Sequence, residues 1–356
     1  MTSKADQSFN IAVHGLRGIA SVMVFLAHLI GGVAEHVYAD KTAFVAAQTP
    51  YWNFGTYGVW LFFAISGFVI LPSAMRYSLG EFAARRFMRI YPMFFAFSFL
   101  FIVLNLITQH MPELNDPITI LAALTFTNNF IGTEQLTPNA WSLNYEVMFY
   151  ALTALILAFG VKSRRPLLLM VVCALAFSYL LWKPGTLFFI AGVLIRIALD
   201  RGIMPNLTLA RVLEPLAAIA LIYATSLTDL SFHRADMAHP ITWIAILATA
   251  VYFYLAVLPG SLTGRLLSHN VFQFLGTVSF SLYLLHPYIY LPMRMIFVRF
   301  ELFTDNIALS MALFYVAVSI PTLIATWFVH KTLEVWPYKA VFHRRVFAGA
   351  PEAKAV

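Results

Sequence analysis

The chain has 356 residues, of which 61% are hydrophobic and 11% are charged, whereas soluble domains carry roughly 45–50% apolar and about 25% charged residues. Apolar runs long enough to cross a bilayer recur along the whole sequence. The composition excludes a soluble enzyme and a disordered chain and disfavours nucleic acid as a partner. The single cysteine, Cys173, excludes an internal disulfide.

Apolar segments of about 20 residues predict an all-α fold, a polytopic bundle of about ten transmembrane helices. The predicted helices are 11–33, 54–74, 90–109, 139–160, 166–182, 185–200, 212–228, 240–259, 271–291 and 307–329. Residues 11–330 are predicted to form one membrane domain between a cytoplasmic segment, 1–10, and a cytoplasmic tail, 331–356. Within the connection at 110–138, the apolar stretch from Ile118 to Phe130 is predicted to lie along the membrane surface or to re-enter it.

The distribution of Lys and Arg predicts which way the bundle faces. Ten spans place both termini on one side. With the N-terminus inside, the inner segments hold 17 Lys and Arg and the outer segments hold five. Because positive residues concentrate on the cytoplasmic side, this distribution predicts an N-in, C-in protein.

Polar residues form a stripe along the first predicted helix. At 100° per residue, His14, Arg17, Ser21, His28 and Glu35 fall within roughly 60° of one another. A charged side chain at mid-bilayer costs about 2.5–3.5 kcal/mol on insertion scales and usually has a function. The stripe therefore predicts a polar cavity, in which Arg17 and His28 are about 16 Å apart along the helix axis.

Three titratable residues are predicted to meet in the outer third of the membrane. They are His28, Glu146 in the fourth predicted helix and His286 in the ninth. An imidazole beside a carboxylate can take a proton from a hydroxyl group. The alternative, open above all for His286, is a buried polar residue that only bonds to neighbouring backbone.

The segment from Glu81 to Pro92 follows the second predicted span and contains Arg86 and Arg89. If it is helical, these two guanidiniums share a face, and their forked donors suit phosphate. The alternative is that they fix topology and contact lipid headgroups. No His, Cys, Asp or Glu pattern has metal-ligand spacing, so no metal is predicted.

Five blocks in order resemble the integral-membrane acyltransferase 3 family, which includes bacterial O-acetyltransferases of polysaccharides. The blocks are HGLRGIA at 14–20 followed by His28, GVWLFFAISGF at 58–68, RFMRIYP at 86–92, WSLNYE at 141–146 and SFSLYLLHP at 279–287. The sequence departs from the family at His14, where Asp is usual, and at Trp60, where an acidic residue is common. Its Glu334-Val335-Trp336-Pro337 is one residue longer than the usual E-x-P.

The resemblance implies an O-acyltransferase of the bacterial inner membrane that uses cytoplasmic acyl-CoA, with acetyl-CoA as the expected donor. Arg86 and Arg89 would hold the CoA phosphates, and Arg17 would receive the donor further in. His28 would act as the general base on the acceptor hydroxyl or carry the acyl group transiently, and Glu146 would orient it.

On the acceptor side, His286 would bind the acceptor or assist the reaction. Tyr283 and Asn144 are candidates for binding the acceptor or stabilising the oxyanion only because they lie near these residues in the sequence blocks. The acceptor would be a glycan, a lipid-linked sugar or another hydroxyl compound at the outer face, with membrane lipids around the protein. The alternative function is a proton-coupled exporter of a sugar or lipid precursor, because intramembrane His and Glu residues also serve such carriers. The sequence lacks the paired, interrupted helices of two related halves that many carriers contain.

Overall fold

The computed structural model describes residues 10–109, 111–227, 229 and 231–342, and these residues form helices and no strand. The α-helices are α1 (Ile11–His36), α2 (Thr42–Thr56), α3 (Gly58–Arg76), α4 (Leu79–Thr108), α5 (Pro117–Leu124), α6 (Asn128–Ile131), α7 (Trp141–Leu157), α8 (Pro166–Trp182), α9 (Leu187–Asp200), α10 (Leu207–Ser226), α11 (Pro240–Ala256), α12 (Leu262–Leu267), α13 (Asn270–Arg299), α14 (Ile307–Val329) and α15 (Trp336–Phe342). A π-helical turn, Ala158–Lys162, extends α7, and another, His330–Val335, joins α14 to α15.

The prediction of an all-α membrane bundle is confirmed. Among the described residues, seven helices are long and apolar enough to cross a membrane. The helices Pro166–Trp182 and Pro184–Asp200, bent by 117° at their junction, add an eighth span if they are counted as one. The apolar helix α11 has only 17 residues. Each of the ten predicted segments contains a helix, while the count of ten crossings and the N-in, C-in orientation stay predictions.

Several predicted boundaries are wrong. Helix α4 begins at Leu79 and not at residue 90, because Ser78 caps it by accepting a hydrogen bond from the Glu81 amide at 3.2 Å. Hydropathy misses this start because the first turns of α4 are charged. Helix α2 lies in a segment predicted to be a loop, and α13 continues past residue 291 to Arg299. Of the predicted cytoplasmic segments, residues 1–9 and 343–356 lie outside the described residues.

Helices α1 and α13 run parallel and in close contact. Near their first turns, His14 Nε2 lies 3.1 Å from the Gln273 carbonyl oxygen and 3.2 Å from Thr277 Oγ1. Near their other ends, Arg294 donates to the Gly32 carbonyl oxygen at 3.2 Å. Residue numbers thus rise together along both helices, and this parallel pair sets the register of the site described below.

Glu214 of α10 is a buried carboxylate with a structural role. Its side chain is 2% exposed and accepts hydrogen bonds from the amides of Leu262 at 2.8 Å and Thr263 at 2.6 Å. These amides belong to the first turn of α12, whose positive end favours an acidic group. Since α12 packs against α1, Glu214 supports the first turns of the polar helix.

Gly276 marks the point where α1 and α13 leave no space for a side chain. A Cβ atom added there would lie 2.2 Å from the His14 carbonyl oxygen. We expect Gly276→Ala to push the helices apart and to destabilise the protein by about 1–3 kcal/mol, as overpacked sites do. The measurement is the unfolding midpoint of purified protein in detergent.

The matched control is Gly80→Ala, because a Cβ at Gly80 of α4 would meet no atom within 4 Å. We expect this variant to keep the parent midpoint. Equal midpoints for Gly276→Ala and the parent protein would contradict a tight α1–α13 contact.

Candidate active site

His28 of α1 and His286 of α13 lie side by side. Their ring centroids are 5.1 Å apart, and the ring of Trp52 on α2 lies 5.6 Å from the His28 ring. The parallel packing of α1 on α13 brings the histidines together. His28 lies about as far along α1 from His14 as His286 lies along α13 from Gln273, the residue that His14 contacts. The sequence predicted that these residues meet, and the structure brings them into contact.

His28 has one occupied and one unoccupied ring nitrogen. Its Nδ1 lies 2.8 Å from the Val24 carbonyl oxygen one turn earlier in α1, so Nδ1 carries the proton and donates it. Among the described residues, Nε2 has no hydrogen-bond partner. The Val24 carbonyl therefore fixes the tautomer and leaves a lone pair on Nε2.

Both nitrogens of His286 are engaged. The side chain is fully buried, its Nδ1 lies 3.0 Å from the Leu282 carbonyl oxygen, and its Nε2 lies 3.3 Å from Asn139 Nδ2. Asn139 also donates to the Tyr283 carbonyl oxygen at 2.8 Å. Sequence reasoning missed Asn139, which lies in a loop just before α7 and belongs to no recognised block.

The predicted contact between Glu146 and His28 is wrong. Glu146 instead accepts hydrogen bonds from Ser66 Oγ at 3.1 Å and from the Tyr150 hydroxyl group. Asn139, just before α7, contacts His286, so His286 lies at the same depth as the start of α7. Glu146 lies about 8 Å further along α7 than Trp141, and therefore further into the membrane. The carboxylate is therefore deeper than the two histidines.

Arg17 belongs with this deeper group. It lies within electrostatic reach of Arg89, Glu334, Glu146 and Tyr150, and it makes no hydrogen bond or ion pair with any described residue. Arg17 is half-buried, and its five donors are free for a ligand or water to satisfy. Arg17 is therefore placed to receive an anionic or carbonyl group.

Three neighbouring arginines at the start of α4 have different surroundings. Arg85 is 9% exposed and donates to Glu81 at 2.8 Å and to the Tyr338 hydroxyl group at 2.9 Å, which joins α4 to α15. Arg89 forms an ion pair with Glu334. Arg86 makes one long hydrogen bond, to Ser73 at 3.3 Å, and its buried Nε has no partner.

Glu334 is the centre of a buried polar network. It is 3% exposed, pairs with Arg89, and accepts hydrogen bonds from Ser281 Oγ at 2.7 Å and His330 Nδ1 at 2.9 Å. Thus α4, α13 and the π-helical turn at His330–Val335 meet at one carboxylate.

Arg86 also lines a cavity of about 570 Å³ between α4 and α7. The rest of the lining is mostly apolar and includes Phe82, Tyr91, Phe126 and Tyr150. The guanidinium carbon of Arg86 lies 5.6 Å from the centre of the Tyr150 ring. Since the Tyr150 hydroxyl group bonds to Glu146, the cavity adjoins the group that contains Arg17.

A family model described as an acyltransferase domain, Acyl_transf_3, matches residues 10–331. The chain belongs to the acyltransferase 3 family. It is a membrane acyltransferase with several membrane-spanning helices. No curated protein and no solved structure matches the chain significantly.

The family blocks contact one another in space. The first and last blocks supply His28 and His286, and the second and fourth supply Ser66 and Glu146. The third block supplies Arg89, which pairs with Glu334 of the motif at 334–337. The resemblance thus covers one connected site and not five separate patches.

The departures from the family pattern have structural explanations. His14, in place of Asp, joins α1 to α13. Trp60, in place of an acidic residue, packs against Phe232 with ring centroids 4.7 Å apart and against Trp141 at 5.8 Å. The extra residue of the 334–337 motif follows Glu334 where the helix is π-helical. Because a π turn holds one more residue than an α turn, this helix accommodates the insertion without a break.

Within the part of the chain that the structure describes, no group of three or more His, Cys, Asp or Glu side chains is placed to hold a metal ion.

Arg89 and Glu334 give a test of the buried network. We expect Arg89→Ala to destabilise the acyltransferase by about 3–5 kcal/mol, because it leaves the Glu334 charge buried and unpaired. The double variant Arg89→Ala with Glu334→Gln should recover part of this loss, since Gln carries no charge and can still bond to Ser281. Unfolding midpoints in detergent measure both effects.

The control is Arg76→Ala, which removes an exposed arginine at the end of α3. A double variant no more stable than Arg89→Ala would show that the uncompensated Glu334 charge is not the cause of the loss.

Proposed function

We propose that this acyltransferase moves an acyl group, acetyl in the simplest case, from cytoplasmic acyl-CoA to a hydroxyl group at the outer face of a bacterial inner membrane. The acceptor is a glycan, a lipid-linked sugar or another hydroxyl compound. One observation carries the proposal: His28 has a fixed tautomer and an unoccupied Nε2 inside a membrane acyltransferase.

In this reaction His28 is the general base. Nε2 takes the hydroxyl proton while the acceptor oxygen attacks the thioester carbonyl carbon. The new C–O bond forms, and the tetrahedral intermediate collapses as the C–S bond breaks. The CoA thiolate then takes the proton from the imidazolium. The Val24 carbonyl, which accepts from Nδ1, supports the imidazolium in the role first assigned to Glu146.

The donor, acyl-CoA, is bound on the Arg17 side of α1, at the other end of the site from His28. Arg86 is the better phosphate ligand of the RFMR pair, because its Nε has no partner while Arg89 is paired with Glu334. From there the thin arm of CoA extends toward Arg17 and brings the thioester to His28, about 16 Å further along α1. Glu146 balances the positive charge around Arg17.

His286 acts as a positioning residue. Both of its nitrogens are bonded to described partners, which leaves it less able than His28 to take a proton. Its ring packs against His28 and links that histidine to Asn139 and Tyr283. Tyr283 and Asn144 are proposed to face the acceptor side.

The exporter alternative makes a different prediction about CoA. An exporter would move its substrate without CoA, whereas the proposed enzyme releases CoA as the ester forms. Membership of an acyltransferase family supports the enzyme. Purified protein in nanodiscs, supplied with acetyl-CoA that carries a radiolabelled acetyl group, distinguishes the enzyme from the exporter.

The first functional prediction concerns the base. We expect His28→Ala to lower the rate of acyl transfer by about 10²–10⁴-fold, the usual contribution of a general base. Acyl-CoA binding should stay near that of the parent protein, because His28 is remote from Arg86. The measurements are CoA release and equilibrium binding of acetyl-CoA.

His239→Ala is the matched control, since His239 is an exposed loop residue remote from α1 in sequence. It should retain parent activity. Full activity in His28→Ala would rule out the assigned base.

The second functional prediction concerns the donor. We expect Arg86→Ala to raise the KM for acetyl-CoA by about tenfold, the effect of losing one charge-assisted contact of roughly 1.4 kcal/mol. The kcat at saturating acetyl-CoA should change much less. Arg76→Ala removes a charge near the same membrane face and should leave KM unchanged. A KM for Arg86→Ala equal to that of the parent would favour the alternative of topology charge and lipid contact.

A further inference from the structure

The ring of Trp52 on α2 packs against the ring of His28. Their centroids are 5.6 Å apart and their planes cross at 70°, so the edge of one ring meets the face of the other. Helix α2 lies in a segment that the hydropathy pattern treats as a loop, and Trp52 belongs to none of the five family blocks. The proposed reaction so far uses neither Trp52 nor α2.

Two contacts hold the indole of Trp52 in this position. Gly31 of α1 has no side chain, and a Cβ atom added there would lie 2.1 Å from Trp52 Cε3, so the indole occupies the space that a side chain would fill. The neighbouring residue, Asn53, donates a hydrogen bond to the Ser226 carbonyl oxygen of α10 at 3.2 Å. Helix α2 is therefore attached to both α1 and α10, and the contact between indole and imidazole is part of the packed structure.

A general base at His28 carries a positive charge for part of the reaction. The side chain is half-buried within a membrane-spanning helix, where a cation has lost much of its water and needs a compensating group. The carboxylate of Glu146 is bonded elsewhere, and no described carboxylate pairs with His28. The compensation must therefore come from a group other than a carboxylate.

The charged and titratable side chains around His28 supply no negative charge at its ring. They are His286, Tyr283, Tyr290 and Arg294 on α13, Tyr51 on α2, and Arg17 and Glu35 on α1 itself, while α3 has none before Arg76 at its far end and α12 meets α1 near its first turn. Arg294 adds a positive charge one turn beyond His28, where it donates to the Gly32 carbonyl oxygen at 3.2 Å. Glu35 is exposed and lies about 10 Å further along the helix axis.

An aromatic ring can attract a cation without being an anion. The face of the ring carries partial negative charge, and the indole of Trp is the strongest of the aromatic side chains in this role. The attraction acts when the cation is within about 6 Å of the ring centroid. Trp52 meets this condition at 5.6 Å.

We infer that Trp52 is a positioning residue that stabilises the imidazolium of His28 during acyl transfer. When Nε2 takes the acceptor's hydroxyl proton, the indole attracts the positive charge while Nδ1 keeps its bond to the Val24 carbonyl oxygen. The charge disappears when the proton passes to the CoA thiolate. Trp52 and the Val24 carbonyl thus share the part that a carboxylate has in a Ser-His-Asp triad. This inference rests on the proposed function, since it assigns a partner to the base of that reaction.

The test measures how readily the His28 imidazolium gives up its proton and does not depend on acyl transfer. Diethyl pyrocarbonate acylates a neutral imidazole, which has a free lone pair, and not an imidazolium. Purified protein in nanodiscs is treated with this reagent at a series of pH values, and mass spectrometry follows the rate of modification at His28. The pH midpoint of that rate reports protonation and not exposure, because the accessibility of the ring scales the rate equally at every pH.

Four variants are compared with the parent protein. Trp52→Leu removes the aromatic ring, and Trp52→Phe keeps a smaller one. Gly31→Ala retains Trp52 but places a Cβ atom where the indole lies. Tyr51→Leu is the matched control, because it removes an aromatic ring at the neighbouring position, where the side chain is 62% exposed. Equilibrium binding of acetyl-CoA at the parent level verifies that each variant is folded.

We expect the pH midpoint for Trp52→Leu to fall by about one unit, because an imidazolium that has lost the indole gives up its proton at lower pH. Trp52→Phe should lower the midpoint less, Gly31→Ala should lower it in the same direction, and Tyr51→Leu should leave it unchanged. In isolated membranes of the source organism, the acid limb of CoA release should move to lower pH in the same order. Its plateau for Trp52→Leu should fall by up to about tenfold, since a weaker base takes the hydroxyl proton less readily.

Two results would overturn the inference while the proposed function stands. One is an equal pH midpoint in the parent protein and in folded Trp52→Leu. The other is an equal shift in Trp52→Leu and Tyr51→Leu, because the effect would then not belong to the indole that contacts His28. If the midpoints shift as expected but neither purified parent protein nor the membranes release CoA from acetyl-CoA, the indole stabilises the imidazolium and the proposed function itself fails.

Discussion

The close parallel packing of α1 on α13 is the constraint on which the site depends. His14 fixes the pair near its first turns, the absence of a side chain at Gly276 lets the backbones approach, and Arg294 joins the pair near its other end. Because both helices rise by the same 1.5 Å per residue, fixing the two ends also fixes the contact between His28 and His286 in the middle. The geometry of the proposed base is thus a property of the helix pair.

Structural and functional polar groups in this protein differ in whether other residues satisfy their hydrogen-bonding capacity. Glu214 caps α12, and Glu334 has three partners from three elements. In contrast, the buried Nε of Arg86 and the half-buried side chains of Arg17 and His28 keep unused hydrogen-bonding capacity. Since a low dielectric makes an unpaired polar group expensive, these groups are the natural places for a ligand or a transferred proton.

These unused groups lie at two depths along α1. In the proposed orientation, the inner set consists of the guanidiniums of Arg17 and Arg86, which suit the phosphates and thioester of the proposed donor, and the outer set contains the imidazole of the proposed base, His28. The polar helix joins them across the membrane. In the proposed reaction, the donor and acceptor approach from opposite sides and meet at His28.

Much of this organisation can be predicted from the sequence. Hydropathy alone predicts a helical membrane bundle, since lipid requires every backbone group to be bonded within its own helix. The 3.6-residue period alone places Arg17 and His28 on one face, because that geometry is local to one helix. The family blocks point to an acyltransferase, which the family match confirms.

Only the tertiary structure decides which partner each side chain takes. Arg85, Arg86 and Arg89 are nearly equivalent as a sequence run, yet α15, a cavity and Glu334 give them different surroundings. Glu146 is paired with Ser66 and Tyr150 and not with His28, because the loop before α7 occupies the level of the histidines. The block at 141–146 contains Asn144, but the block does not show that the Asn144 side-chain nitrogen lacks a hydrogen-bond partner. A hydrogen bond depends on the depth and rotation of two separate elements, and local sequence specifies neither.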